Sequence, residues 1–271
     1  MDLNEVLFEF SNKERYNVFK SLYNKDKRHS QLEKELNIPG SEISRHLKRL
    51  FKKNLISKSA NNIYEVTNIG KIFLQIMNIF EVSLYHKDFL NTHEITAIPV
   101  HLILQLGKLK SIEVSNKTLE NVELWSNLVK NSENFIYAIS DQFQNSLLPI
   151  IEKKIKDQSI KIKALVDKSL LKSYKIPSEW SQKFQDPIVF YKKLQIYQNI
   201  RILKKINFSL IASDKGAILF LSKVGQIDYS QCLIDNNESF INWTTELFEW
   251  YWKKGKNLKP FIKKEILSMK K

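Results

Sequence analysis

Apolar residues in the first ninety positions recur every three or four places, the spacing that lines one face of a helix. Leu3, Val6, Leu7 and Phe10 form one stripe; Tyr16, Phe19, Lys20 and Tyr23 fit a second, with Ser11 as its expected N-cap. Leu32 and Leu36 anchor a third short helix. After Ile38-Pro39-Gly40 the pattern resumes with Ile43, Leu47 and Leu50 at i, i+4 and i+7. Ser41 is the expected N-cap of this fourth helix, and Gly40 before it permits a sharp turn. Two strand-like segments then flank Asn61-Asn62, residues that tolerate the positive φ of a tight hairpin. Helix, turn, helix and hairpin in this order predict a winged helix-turn-helix over residues 1–67.

Further on, Ile69, Phe73, Ile76, Phe80 and Leu84 repeat at spacings of three and four, and Ile72, Met77 and Ile79 widen the stripe. That is broader than one small domain needs to cover, so 68–108 reads as a linking segment whose helix pairs between two copies of the chain. From Val114 the period shortens. Residues 134–140 and 160–166 read as strands, with a helix over 147–156 between them. Asp186–Tyr191 and Tyr197–Leu203 are weaker strand signals. The apolar runs 208–212 and 217–221 are joined by Ser213-Asp214-Lys215-Gly216, a hairpin signal. A closing helix over 238–254 turns Phe240, Ile241, Trp243, Thr244, Leu247, Phe248 and Tyr251 inward. Strands interleaved with helices imply an α/β layered domain over 109–256, followed by a Lys-rich tail over 257–271.

Composition narrows what such a chain does. Its 271 residues, 43% hydrophobic and 27% charged, suit a globular protein with a sizeable core. The net charge of +14 favours a polyanionic partner without choosing among DNA, RNA and membrane. The local bias is sharper: Ser41 to Lys58 holds six basic residues against one acid, Glu42. On the fourth helix Ser41, Ser44, Arg45, Lys48 and Lys52 share the polar face, joined by Arg49, and Lys58 and Ser59 stand near the hairpin tip. These are donors of a length that reaches phosphates and base edges. His46 falls between the faces and reads as a packing residue.

Several chemistries are disfavoured. Six glycines and no phosphate-cradling glycine loop argue against P-loop or dinucleotide chemistry. A single cysteine, Cys232, provides neither an internal disulfide nor a thiolate metal cluster, and reads as a small buried hydrophobe in a reducing cytoplasm. No apolar run approaches the roughly 18 residues of a membrane span. His93-Glu94-Ile95-Thr96-Ala97 starts like a zinc-protease helix but has Ala97 where the second His belongs. No cofactor or metal is therefore expected.

Residues 1–75 resemble the DNA-binding domain of ArsR-like archaeal winged-helix regulators, through Ser44–Leu50, Asn54-Leu55-Ile56, Tyr64 and Thr67–Lys71. The resemblance implies that Ser41, Ser44, Arg45 and Lys48 face the major groove. HEITAIPVHLILQLGKL, FSLIASDKGAILFL and SFINWTTELFEWYWKK, within about residues 90–255, are similar to the output domain of archaeal Fil-type regulators. This implies a transcriptional regulator whose second domain binds an effector or assembles subunits. The strand order also looks like one half of a phospholipase D-type domain. Its His-x-Lys and later Asp would fall on Asn207, Ser209 and Asp214, so only the Asp is kept and phosphodiester chemistry is not supported.

The sequence thus predicts a mixed α/β, cytoplasmic, homodimeric, sequence-specific double-stranded DNA-binding regulator that is not an enzyme. A small-molecule effector would contact Ser140, Asp141, Arg201, Ser209 and Asp214. The alternatives are a protein-docking winged-helix module and, further off, a phosphodiesterase-type enzyme.

Overall fold

A computed structural model describes residues 2–142, 144–156, 160–170, 199–258 and 260. The weak strand signal at 186–191, part of that at 197–203 and nearly all of the basic tail lie outside these residues. The chain divides into two compact units, Met1–Glu81 and Val82–Lys271.

The first unit is built from α1 (Leu3–Ser11), α2 (Lys13–Asn24), β1 (Lys27–Arg28), α3 (His29–Leu36), α4 (Gly40–Lys52), β2 (Ile56–Lys58) and β3 (Ile63–Val66), followed by α5 (Asn68–Tyr85). The strands form a small antiparallel sheet in the order β1-β3-β2. Val6, Phe10, Val18, Phe19, Leu22, Leu32, Ile43, Leu47, Leu50 and Leu74 make the shared core.

Both expected N-caps move. Asn12, not Ser11, caps α2, its side-chain oxygen accepting from the Arg15 amide at 2.9 Å. Ser11 instead ends α1, its hydroxyl donating to the Phe8 carbonyl. Ser41 lies inside α4, because Pro39 takes the cap position and its carbonyl accepts from the Glu42 and Ile43 amides. Without a side-chain cap of its own, α4 has its first amide met by Glu33 of α3, 3.1 Å from Gly40 N.

Helix α5 leaves most of its apolar stripe uncovered by the first unit. Leu74 is buried, and Phe73 and Met77 pack on the first core, but Ile69, Ile72, Ile76, Phe80 and Leu84 remain exposed. The reason lies at Gly70, where an added Cβ would come within 2.2 Å of the Leu55 carbonyl oxygen. That close approach seats α5 by its glycine and leaves much of the expected stripe outside. Thr67 secures the junction: its amide and hydroxyl both donate to Leu55 O, and its hydroxyl accepts from Gly70 N.

The second unit continues with α6 (Lys87–Thr92), α7 (Val100–Ile103), β4 (Glu113–Ser115), α8 (Thr118–Asn131), β5 (Phe135–Ser140), α9 (Leu148–Lys156), β6 (Lys161–Asp167), β7 (Ile200–Leu203), β8 (Phe208–Ser213), β9 (Gly216–Lys223), β10 (Gln226–Ile227), β11 (Cys232–Asp235), α10 (Glu238–Lys254) and β12 (Lys256–Asn257). Its sheet runs β12-β7-β6-β5-β8-β9-β11-β4, with β10 on β9. Strands β5, β6 and β7 are parallel and the other pairings antiparallel.

Alternation along the central strands supplies two cores. Tyr137, Ile139, Phe208, Leu210, Ala212, Leu219 and Leu221 pack with Phe240, Trp243, Leu247 and Phe248 of α10. Ile136, Ile211, Ile218 and Phe220 turn the other way, onto Leu124, Trp125, Leu128 and Val129 of α8 and Ile150 and Ile151 of α9. A sheet covered on both faces needs apolar residues at successive positions, which is why β8 and β9 read as unbroken apolar runs.

Candidate functional site

Helix α4 separates two chemistries around its circumference. Ile43, His46, Leu47 and Leu50 are buried, whereas Ser41, Ser44, Arg45, Lys48, Arg49 and Lys52 are exposed. Burying Ile43, Leu47 and Leu50 stabilises the helix on its core by roughly 1.5–3 kcal/mol each. The outward side chains are therefore carried on a fixed support.

They are not equally available. Arg49 lays its guanidinium on Glu9 of α1 through two bonds of 2.8 Å. Glu9 is almost wholly buried and also holds the buried Arg15 at 2.8 Å. The Arg49 bond foremost keeps the Glu9 carboxyl below its usual range against the opposing effect of burial, and Glu9 in turn raises Arg49. Arg49 is thus a tie between α1 and α4. Arg45 pairs with Glu42 one turn earlier yet keeps its side chain 64% exposed. Ser44 is held by His29 at 2.8 Å. Lys48 and Lys52 make no salt bridge among the described residues.

The hairpin of β2 and β3 adds Lys58 and Ser59, both exposed. Asn62 takes a φ of 56° in the turn, and its amide donates to the Ser59 carbonyl. Lys58 Nζ sits 5.4 Å from the Tyr64 ring centre, which steadies it beside the strand. His46 lies buried with Nε2 3.3 Å from Glu14. Glu14, Glu42 and His46 place ligand atoms within 4.8 Å of one another, but Glu42 is engaged by Arg45, so a cation there would displace that pair.

In the second unit the five expected effector residues do not converge. Ser140 at the end of β5 and Ser209 on β8 line one cleft of about 410 Å³ with Trp125, Gln144, Phe220 and Tyr229. Asp141 stands behind it, accepting the Tyr229 hydroxyl. Burial first, then this bond, raises the Tyr229 phenol well above its ordinary value. Arg201 lies on β7, donates to the Trp252 carbonyl at 2.7 Å and stacks on that ring. Asp214 sits in the β8–β9 turn, where its carboxylate accepts from the amides of Glu133, Asn134 and Phe135. Burial works to raise the Asp214 carboxyl, yet those amides outweigh it and hold it low. Away from the cleft, Arg201 ties β7 to α10 and Asp214 ties the β8–β9 turn to the start of β5.

The sequence did not single out Trp125, Phe220 and Tyr229 as a wall. The only signal was aromatic content; their meeting depends on strand register and on the fully buried Asn121, which bonds α8 to the Tyr229 and Ser230 carbonyls. The protease-like segment has a structural task as well: Glu94 pairs its backbone with Ser222 and accepts from Gly225 N at 2.7 Å. His93 Nε2 lies 3.4 Å from the Asp228 carboxylate. No described helix is long and apolar enough to cross a membrane.

Comparison with known proteins places both units. No curated protein matches the chain. Among solved structures, TrmBL2, an archaeal chromatin protein described as showing a novel mode of DNA binding, is similar at 18% identity. That match covers 90% of this chain and 94% of the other, with a TM-score of 0.42. Phosphatidylserine synthase from Haemophilus influenzae Rd KW20 is similar at 12% identity over 49% of this chain and 35% of its own, with a TM-score of 0.33. Neither likeness is close enough to carry function across. The family models are more telling: residues 4–82 match the N-terminal domain and residues 119–254 the middle domain of the methanogenesis regulatory protein FilR1. The chain belongs to the FilR1 methanogenesis regulatory protein family.

Proposed function

We propose that the protein is a transcriptional regulator that binds double-stranded DNA in a sequence-specific way through a winged helix-turn-helix in its first unit. One observation carries the reading: a helix firmly seated by Ile43, Leu47 and Leu50 turns Ser41, Arg45, Lys48 and Lys52 to solvent, beside a hairpin that carries Lys58. An α-helix of this kind fits the major groove, with its long donors meeting bases and phosphates, while a hairpin meets the flanking backbone. Arg45 and Lys48 are the reading residues, Lys52, Lys58 and Ser59 the positioning ones. Arg49 acts through its grip on Glu9.

The functional unit is a homodimer, paired through the exposed Ile69, Ile72, Ile76 and Phe80 of α5, since an apolar stripe of this length is covered by a like stripe. The second unit is a non-catalytic regulatory domain. An effector bound there changes DNA affinity by favouring one setting of the two recognition helices.

Fluorescence anisotropy against the protein's own promoter and a scrambled duplex, across a salt series, tests the reading. A promoter preference that persists near physiological salt and disappears in Arg45→Ala and Lys48→Ala is the expected result, each change costing about 1–3 kcal/mol where a base contact is lost. Unchanged affinity in both variants removes α4 from the interface. Light scattering of the purified chain, with Ile76→Glu as the disruptive variant, reports the dimer.

A further inference from the structure

The cleft under α8 has an unusual balance of hydrogen-bonding groups. A hydroxyl has one proton to give and two lone pairs to offer. Ser140 spends its proton on the Gln142 carbonyl at 2.8 Å and Ser209 on the Ile139 carbonyl at 2.9 Å. Tyr229 gives its proton to Asp141. Asn121 uses its amide hydrogens on Tyr229 O and Ser230 O, and Gln144 directs one toward Ser126. What the three hydroxyls still present to the cleft is oxygen lone pairs, one of those on Ser140 being taken by the Gln142 amide, while Gln144 keeps a single N–H. An aspartate carboxylate lies directly behind the tyrosine.

The apolar part of the wall has the same polarity. Phe220 stands 5.0 Å from Tyr229 and 6.2 Å from Trp125 between ring centres, so three aromatic rings flank one space. Ring faces are electron-rich and attract cations. No lysine, arginine or histidine is among the described residues lining the cleft, in a chain with 43 basic side chains. An anion would meet no counter-charge there, only neutral donors such as those of Thr118, Gln142 and Gln144. A neutral apolar guest would leave the ring of acceptors unpaired.

We propose that this cleft binds an organic ammonium ion, a protonated amine attached to an apolar body. The ammonium donates to the Tyr229, Ser140 and Ser209 oxygens under the field of Asp141, and the apolar body lies between Trp125 and Phe220. A volume of about 410 Å³ accommodates a guest of one ring with a short chain. The proposal deepens the reading of the second unit as the effector-binding domain, and names the class of effector.

Calorimetric titration of the full chain without DNA tests it, using three probes of one shape and different charge: benzylammonium, benzyl alcohol and benzoate. Benzylammonium is expected to bind at least about ten-fold more tightly than benzyl alcohol, and benzoate not to bind. Asp141→Asn should abolish that preference while leaving benzyl alcohol unchanged; Trp125→Leu should weaken both. Circular dichroism checks the fold of each variant, and Tyr229→Phe replaces Asp141→Asn should the latter not fold. Equal affinity for the alcohol, a preference for benzoate, a preference that survives loss of the Asp141 charge, or no uptake of benzylammonium at about 10 mM overturns the proposal. Promoter affinity measured with and without benzylammonium then separates the two readings. Ammonium binding that leaves DNA affinity unchanged keeps the cleft assignment and overturns the effector role.

Discussion

The outward face of α4 and the cleft under α8 offer opposite chemistry. On α4, Lys48 and Lys52 extend unpaired among the described residues and Arg45 is largely exposed, so the face donates. In the cleft, Ser140, Ser209 and Tyr229 have given their protons to the protein itself, so the wall accepts. The difference shows that net charge says little about a site. Within the first unit the cations also differ: Glu9 holds Arg15 and Arg49, other acids hold Lys20, Lys27, Arg45 and Lys53, and Lys48 and Lys52 make no ion pair among the described residues.

That division can be broken most forcefully at Glu9. Glu9→Ala leaves the buried Arg15 without its counter-charge and should cost about 3–5 kcal/mol in denaturant unfolding. A variant as stable as the parent would return Arg49 to the solvent-facing set and undo the distinction. Gly70→Ala comes next: its methyl group has a backbone oxygen 2.2 Å away, and thermal unfolding should show a loss of about 1–3 kcal/mol.

In the second unit, Asp214→Ala strands three amides at the start of β5 and should cost about 1.5 kcal/mol by the same unfolding measurement. DNA binding through the α4 face, as proposed above, should not notice it. A loss of DNA affinity in this variant would show that the two regions are less separable than their chemistry suggests.

The smallest effect concerns pH. Burial holds the His86 imidazole below its ordinary value of 6.5. The unfolded chain therefore takes up this proton first as the solution is acidified. The stability contributed by the neutral ring is complete above the ordinary value and is lost as pH falls through the lower, folded one. Urea midpoints measured at about pH 7.5 and 5.5 should differ in that direction, and His86→Gln should reduce the difference.

Legibility in the sequence followed the periodicity. Helix α4, the β2–β3 hairpin, the β8–β9 hairpin and helix α10 are near where the pattern of apolar residues puts them, because each is a local element with a clear inward face. Strands β4 and β11 and helix α8 were not anticipated. The two strands are short, and α8 carries apolar residues on more than one side, with Leu119 and Val122 exposed. The stripe on α5 was legible, and most of its residues are exposed in the way a pairing surface requires. Which positions the first core takes depends on the contact of Gly70 with Leu55 O, which has no local signature. Candidate site residues fared unevenly for a related reason. Local helical spacing grouped the α4 face, but neither the bond from Arg49 to Glu9, forty positions away, nor the meeting of Ser140 with Tyr229 has a local signature.

The junction at Leu55 also has a mechanical meaning. Its carbonyl receives Thr67 and faces Gly70, so the start of α5 is fastened to the base of the hairpin. The helix continues for 18 residues, about 27 Å at 1.5 Å per residue. Phe73, Leu74 and Met77 pack on the first core and Lys20 bonds Glu81, so most of that length is clamped to the first unit. A partner seated on the exposed side of α5 would rest on a surface as fixed as the core beneath it.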